Sequence, residues 1–170
     1  RTTLEIIEFA NKIFRDRFPK TYKLPEAVLR HGEEIHIINN QKDIDNLTEK
    51  ELLNFIDILA KEFEKGSVTC AIVCPDKEYA LKTYKRIAKY QSKLSKDIVD
   101  FTQENYKTGV LVLPVESAKG LEFDTVILLD VNSETYPDTE LSTRLFYVAI
   151  TRALHRLIII NNSNKSPLLI

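Results

Sequence analysis

Apolar residues recur along this chain at two periods, and the changes from one to the other outline its elements. Over residues 3–18, Leu4, Ile7, Ala10/Asn11 and Phe14 fall at helical spacing behind Thr2 or Thr3 as a cap, and Pro19 ends the run. Residues 20–34 carry Pro25, Gly32 and mixed charge, and read as a connecting loop. Ile35, His36, Ile37 and Ile38 form a short β-type run closed by Asn39 and Asn40. A second helix is predicted over 48–65, where Leu52, Phe55, Ile56, Leu59 and Phe63 share a face. Glu51 follows Thr48 as in a capping box, and Gly66 supplies the stop.

The run 68–74 is apolar almost without a break and closes at Pro75 and Asp76, as in a strand covered on both sides in a parallel sheet. A helix over 77–94 follows, then a short strand over 98–101. Compact apolar runs at 110–115, 125–130 and 157–161 predict three more strands, with a helix over 140–153 before the last. Leu141, Leu145 and Val148 are expected to be its core-facing stripe. Strands alternating with helices at these lengths define an α/β fold, with a mostly parallel sheet and helices on both faces, in one domain spanning 1–170.

Composition narrows what such a fold can do. There are four glycines, Gly32, Gly66, Gly109 and Gly120, and none is followed by lysine or lies close to another. That excludes a Walker A phosphate loop and a dinucleotide fingerprint, so the chain lacks its own phosphate loop. The 24 basic and 25 acidic residues leave a net charge of -1, and bulk charge gives no argument for nucleic-acid binding. Cys70 and Cys74 fit neither a disulfide framework nor a zinc pattern and are expected as buried free thiols, in keeping with a reducing cytoplasm. His31, His36 and His155 have no ligand spacing, so no metal site is expected. No apolar run is long enough to span a bilayer, which makes a cytoplasmic location and no membrane partner the expectation. The chain contains no methionine and begins at Arg1, as a piece of a longer protein would.

Two segments concentrate candidate chemistry. Glu116-Ser117-Ala118-Lys119-Gly120-Leu121-Glu122-Phe123-Asp124 joins two predicted strands, and loops at strand ends are where open α/β sheets bind ligands. Gly120 permits an unusual backbone conformation there, while Lys119 could reach a phosphate and Glu122 a ribose hydroxyl. An ordinary polar crossover turn is the alternative. The second segment runs from Arg144 through Leu145-Phe146-Tyr147-Val148-Ala149-Ile150-Thr151 to Arg152 and Ala153. Arg152 continues the Leu141/Leu145/Val148 stripe, so it either snorkels into a structural ion pair or meets an anion such as a γ-phosphate.

Together, Ser-Ala-Lys-Gly-Leu-Glu-Phe-Asp and Arg-Leu-Phe-Tyr-Val-Ala-Ile-Thr-Arg-Ala resemble motifs V and VI of UvrD/Rep-type superfamily 1 DNA helicases. Arg1-Thr2-Thr3, with Ile6, Ile7, Ala10 and Asn11, is similar to the end of motif IV. The resemblance implies a second, C-terminal RecA-like motor domain of the P-loop NTPase type. Its N-terminal RecA-like partner would hold ATP and Mg2+. It also implies that Arg1 and Arg152 reach the γ-phosphate, and that Glu122 lies beside the ribose with Gly120 and Lys119 in the same loop. A half-site lined by Gly120, Glu122 and Arg152 is therefore expected, with Ser117 near single-stranded DNA.

The pattern departs from the family at three points. Pro114 and Glu116 stand where many relatives place a DNA-contacting threonine and histidine, and a carboxylate at Glu116 would repel a phosphate backbone. Thr143 replaces an arginine before Arg144. The space between Ala71-Ile72-Val73-Cys74 and motif V is too short for a large inserted domain, which is similar to helicase IV and HelD-type proteins, some of which engage RNA polymerase. Independently, Lys82, Arg86, Lys89, Lys93 and Lys96 draw a basic stripe that either tracks a polyanion or is a solvated helix face. Tyr84, Tyr90 and Tyr106 either stack on bases or are half-buried packing residues.

Overall fold

Four adjacent strands at the middle of the sheet each carry an unbroken apolar run, and a helical layer covers each of their faces. The computed structural model describes residues 2–18, 23–26, 29–39, 42–162 and 164–169. In chain order the elements are α1 (Leu4–Arg15), β1 (His36–Asn39), α2 (Glu49–Glu64), β2 (Thr69–Cys74), α3 (Lys77–Ala88), β3 (Ile98–Asp100), β4 (Gly109–Pro114), β5 (Phe123–Leu128), α4 (Glu140–Ile150) and β6 (Ala153–Asn161). The strands form one six-stranded sheet in the order β1-β6-β5-β2-β4-β3. Every pairing between these strands is parallel.

Strand alternation divides the apolar runs between two cores. Ala71, Val73, Leu111, Leu113, Val126, Leu128, Leu157 and Ile159 face α1 and α4, where Ile6, Ala10, Phe146, Ala149 and Ile150 meet them. Cys70, Ile72, Cys74, Val110, Val112, Ile127, Ile158 and Ile160 face the other side, against Leu52, Phe55, Ile56, Leu59, Ala80 and Ile87. Both cysteines are free and buried, and burial pushes the Cys74 thiol up to about 12.

Local chemistry sets most helix boundaries. In α2, Thr48 Oγ1 accepts from Glu51 N at 3.3 Å while Glu51 Oε2 accepts from Thr48 N at 2.6 Å, closing the capping box. Gly66, at φ +101, ends that helix. Asp76 caps α3 through Tyr79 N, and Thr139 caps α4 through Ser142 N. The Thr3 side chain makes no cap bond; the free Leu4 N–H is met from outside α1 by Arg30 O, at 2.8 Å.

Three sequence expectations change. The buried face of α1 is Ile6, Ile7, Ala10, Asn11 and Ile13, rotated from the Leu4/Phe14 stripe. α3 ends at Ala88, not near 94: the Gln91 amide donates to Lys96 O and accepts from Ile98 N, turning the chain into β3. In α4 the core face is Phe146, Ala149 and Ile150 with Ser142 and Thr143, whereas Leu141 is 67% exposed and Leu145 and Val148 are half-buried. The helix is apolar on most sides, so periodicity does not distinguish inner from outer face.

The connection from β4 to β5, residues 115–122, crosses the face of β2, because both strands flank β2. Val115, Ala118 and Phe123 are buried in the α1/α4 core, so the crossover is part of the packed layer. At the end of the sheet where β2, β5 and β6 begin, Arg156 Nε donates to Glu62 Oε2 at 2.5 Å and its Nη2 to Ser67 Oγ at 2.6 Å. Thr125 Oγ1 donates to the same Glu62 oxygen at 3.0 Å. This network joins α2 to β5, β6 and the α2–β2 link at Ser67.

Candidate functional site

The link between α4 and β6 is two residues long, and this shortness fixes the position of Arg152. Thr151 N and Oγ1 both donate to Tyr147 O, closing the last turn of α4. Phe123 N then donates to Arg152 O at 3.0 Å, which binds the link to the end of the 115–122 crossover. The guanidinium reaches back over the helix end. Nε donates to Val148 O at 3.2 Å, Nη1 to Leu121 O at 3.2 Å and Nη2 to Thr151 Oγ1 at 3.4 Å. All three acceptors are neutral, and among the described residues Arg152 has no carboxylate partner. A half-buried guanidinium has five N–H donors, so charge and donors remain for an anion.

Arg152 and Glu122 border one cleft of about 320 Å3, together with Thr2, Pro25, Glu26 and Tyr147. Glu122 is exposed and, among the described residues, has no hydrogen-bond or ion-pair partner. Thr2 Oγ1 donates to Thr151 O at 3.4 Å, placing the start of α1 beside the cleft. Arg1 lies outside the described residues.

The other loop residues lie apart from this pair. Gly120 has φ +82 in an exposed turn closed by Leu121 N donating to Ala118 O, and it does not line the cleft. An added Cβ there would meet nothing within 4 Å, so the cost of substitution is conformational alone. Lys119 borders a neighbouring groove of about 370 Å3 with Phe14, Lys23, Pro25, Arg144 and Tyr147. Ser117 is exposed at the far end of the crossover, just after β4. Beside it, Glu116 stands 3.9 Å from Lys77, both well exposed, so the pair is worth little and only partly offsets the carboxylate charge.

The basic stripe does not run as one line, because α3 stops before Lys89. Lys82 is paired with Asp45 at 3.4 Å and Glu78 at 3.2 Å. Arg86 donates to Ile44 O and Leu47 O, holding the 44–47 turn against α3. Lys89 lies 5.3 Å from the Tyr90 ring centroid, and Lys93 is in the 3-10 turn Gln91–Lys93. The three tyrosines pack: Tyr84 and Tyr90 lie against the α2/α3 core, and Tyr106 stands 6.1 Å from Phe123 with its hydroxyl on Gly109 O.

Asp124, the last residue of the motif V segment, has a structural task. Burial alone would raise its carboxyl, but the N–H groups of Val68 and Thr69, at 2.8 and 3.1 Å, more than offset this and hold it below the ordinary value. Among the described residues no group of three or more His, Cys, Asp and Glu side chains could hold a metal ion. No helix of the described residues is long and apolar enough to cross a membrane.

No motif or periodicity points to Asp130. It sits where the chain leaves β5, with Leu129 N bonded to β2 and Val131 N to β6, at φ +50 and 1% exposed. Burial pushes its carboxyl up to about 6, with Asp43 and Asp45 adding to the shift against the bond from Ile44 N. The folded chain thus binds this proton more tightly than the unfolded chain, whose carboxyl titrates near 4, and stability falls as pH rises through that interval. Asn tolerates left-handed backbone and carries no charge. Asp130→Asn is expected to be more stable than the parent at pH 8 by about 1–3 kcal/mol and near parity at pH 4, measured by urea unfolding.

Residues 85–164, from the end of α3 through α4 and β6, match the family described as UvrD-like helicase C-terminal domain. Over 97% of its length the chain is 24% identical to the ATP-dependent DNA helicase PcrA of two Staphylococcus epidermidis strains, and it spans 23% of the length of those relatives. The crystal structure of the C-terminal domain of a possible DNA helicase from Lactobacillus plantarum superposes with a TM-score of 0.75 at 25% identity, covering 99% of this chain and 91% of that one.

Proposed function

We propose that this chain is the second motor domain of an ATP-dependent DNA translocase and completes an ATP site held by an N-terminal RecA-like domain. The observation that carries the reading is Arg152, a guanidinium that among the described residues is bonded only to neutral oxygens, beside the Glu122 carboxylate, which has no partner among the described residues, in an open cleft. Arg152, with Arg1, reaches the γ-phosphate and stabilises the charge that develops during transfer. Glu122 receives the ribose hydroxyls, and Gly120 gives the loop its turn, with Lys119 adjacent. Mg2+ is held by the N-terminal domain. ATP then ties the two domains together, and its hydrolysis releases them, which converts chemistry into movement.

Ser117 and the lysines at 82, 89 and 93, with Arg86, are the residues of this chain proposed to meet single-stranded DNA; Lys82 and Arg86 would first have to leave their present partners. In the full-length protein, single-stranded DNA is expected to raise ATP turnover at least several-fold. Turnover indifferent to DNA would count against a translocase.

Glu116 favours a second reading, an ATP-driven factor of HelD type that remodels RNA polymerase. Its carboxylate stands where a DNA contact is otherwise expected, and residues 75–108 hold only α3, β3 and a 3-10 turn, with no inserted domain. Retention of RNA polymerase by the full-length protein, combined with ATPase indifferent to DNA, would favour this reading over the first.

A further inference from the structure

Asn11 is an anomaly in the α1 core face. It is 6% exposed, in mid-helix, among Ile6, Ile7, Ala10 and Ile13. An amide buried there is tolerated only when its polar atoms are bonded. Both ends of Asn11 are: Oδ1 accepts from the Tyr147 hydroxyl at 3.1 Å, and Nδ2 donates to Pro25 O at 3.2 Å. The Pro25 carbonyl, which can only accept, fixes the amide orientation, since a flipped amide would turn Oδ1 towards it and lose that bond. The two partners come from opposite ends of the chain, 136 and 14 residues from Asn11.

Those partners are the residues shared by two cavities. Pro25 and Tyr147 border the cleft that holds Glu122 and Arg152, and they also border the groove that holds Lys119 and Arg144. They form a bar between the two. The Tyr147 ring is held by Phe14 at a centroid distance of 5.1 Å, and its hydroxyl by Asn11, so it is fixed at both ends. On the other side of the bar, Asn11 supplies a tether for the Pro25 carbonyl.

We infer that Asn11 is a positioning residue for the nucleotide cleft: by joining Tyr147 to Pro25 it holds the wall that confines the nucleotide to the side of Glu122 and Arg152. The inference rests on the ATP site proposed above. Asn11 touches neither nucleotide nor reacting atoms. Its loss lets the bar part and the two cavities merge, so the nucleotide is bound less tightly before and during transfer alike. That is the kinetic signature of lost uniform binding, a raised KM with little change in kcat.

The test uses the full-length protein with its ATP-binding domain, assayed for ATP hydrolysis with single-stranded DNA. Asn11→Ala is expected to raise KM for ATP roughly 10-fold, and Tyr147→Phe, which keeps the ring and removes only the hydroxyl, roughly 3-fold, with kcat changed less than about 2-fold in each. A mere loss of folded protein would lower kcat and leave KM unmoved, and Tyr147→Phe keeps the test open should Asn11→Ala fold poorly. Unchanged KM in the folded variants, with Arg152→Ala still inactive, would overturn the positioning role and leave the ATP site standing. Full activity of Arg152→Ala would overturn both.

Discussion

Arg152→Ala is expected to lower ATP turnover of the full-length protein by about 10³–10⁵-fold, as loss of an arginine aimed at a transferring phosphoryl group does. The physical ground is the mismatch between what Arg152 has and what it needs. Its three bonds run to the Val148 and Leu121 carbonyls and the Thr151 hydroxyl, none of which neutralises it. The same bonds explain why the fold should survive. They lie at a partly open helix end, each is worth about 1 kcal/mol, and the freed carbonyls can be met by water. Arg152→Lys should not restore turnover, because a point charge cannot keep the tethers and present two further donors to a phosphate at once. A stopped assay with labelled ATP, alongside a circular-dichroism melt, separates loss of chemistry from loss of structure. Turnover near the parent level in a folded Arg152→Ala protein would remove this residue from the mechanism.

The largest effect on stability is expected from Glu62→Ala, a loss of about 3–5 kcal/mol. Glu62 is buried at the start of three strands, where it accepts from Arg156 and Thr125 on one oxygen and stands 3.5 Å from Lys65 on the other. Removing it leaves the Arg156 guanidinium, whose side chain is 14% exposed, with Ser67 and a longer contact of 3.7 Å to Glu33. A cation nearly out of water and without its main partner is far costlier than the same pair replaced as a unit. The double variant Glu62→Leu with Arg156→Leu should therefore be more stable than either single change. Urea unfolding of the chain, with an unchanged dependence on denaturant, measures both. A single variant within 1 kcal/mol of the parent would show that water already screens this network.

Where a feature depended on neighbours in the chain, the residues alone disclosed it. The limits of α2 follow from Thr48, Glu51 and Gly66, each acting within one helical turn. The burial of β2, β4 and the later parts of β5 and β6 on both faces follows from apolar runs at 70–74, 110–113, 126–128 and 157–160. The motif V and motif VI segments pointed to Glu122 and Arg152, and these two do border one cleft. Periodicity failed on α4, where apolar residues occupy most of the circumference and only contact with α1 and the sheet selects Phe146 over Leu141. It failed at the end of α3, where the backbone passes into tighter turns, Tyr90 N on Ile87 O and Lys93 N on Tyr90 O, and the Gln91 amide then ties residues 96–98 back into β3.

Local composition and spacing thus determined the α/β class and the parallel strands, and the resemblance singled out the two segments proposed to carry the chemistry. Tertiary structure decided the strand order, the passage of 115–122 across β2, and the bonds that hold Arg152 at the border of the cleft. It also decided the bonds from Asn11 to Tyr147 and Pro25 and from Glu62 to Arg156, which join residues 14 to 136 positions apart. Such bonds leave no periodic trace, because a buried polar group is tolerated only where distant partners converge, and that convergence is a property of the packed fold.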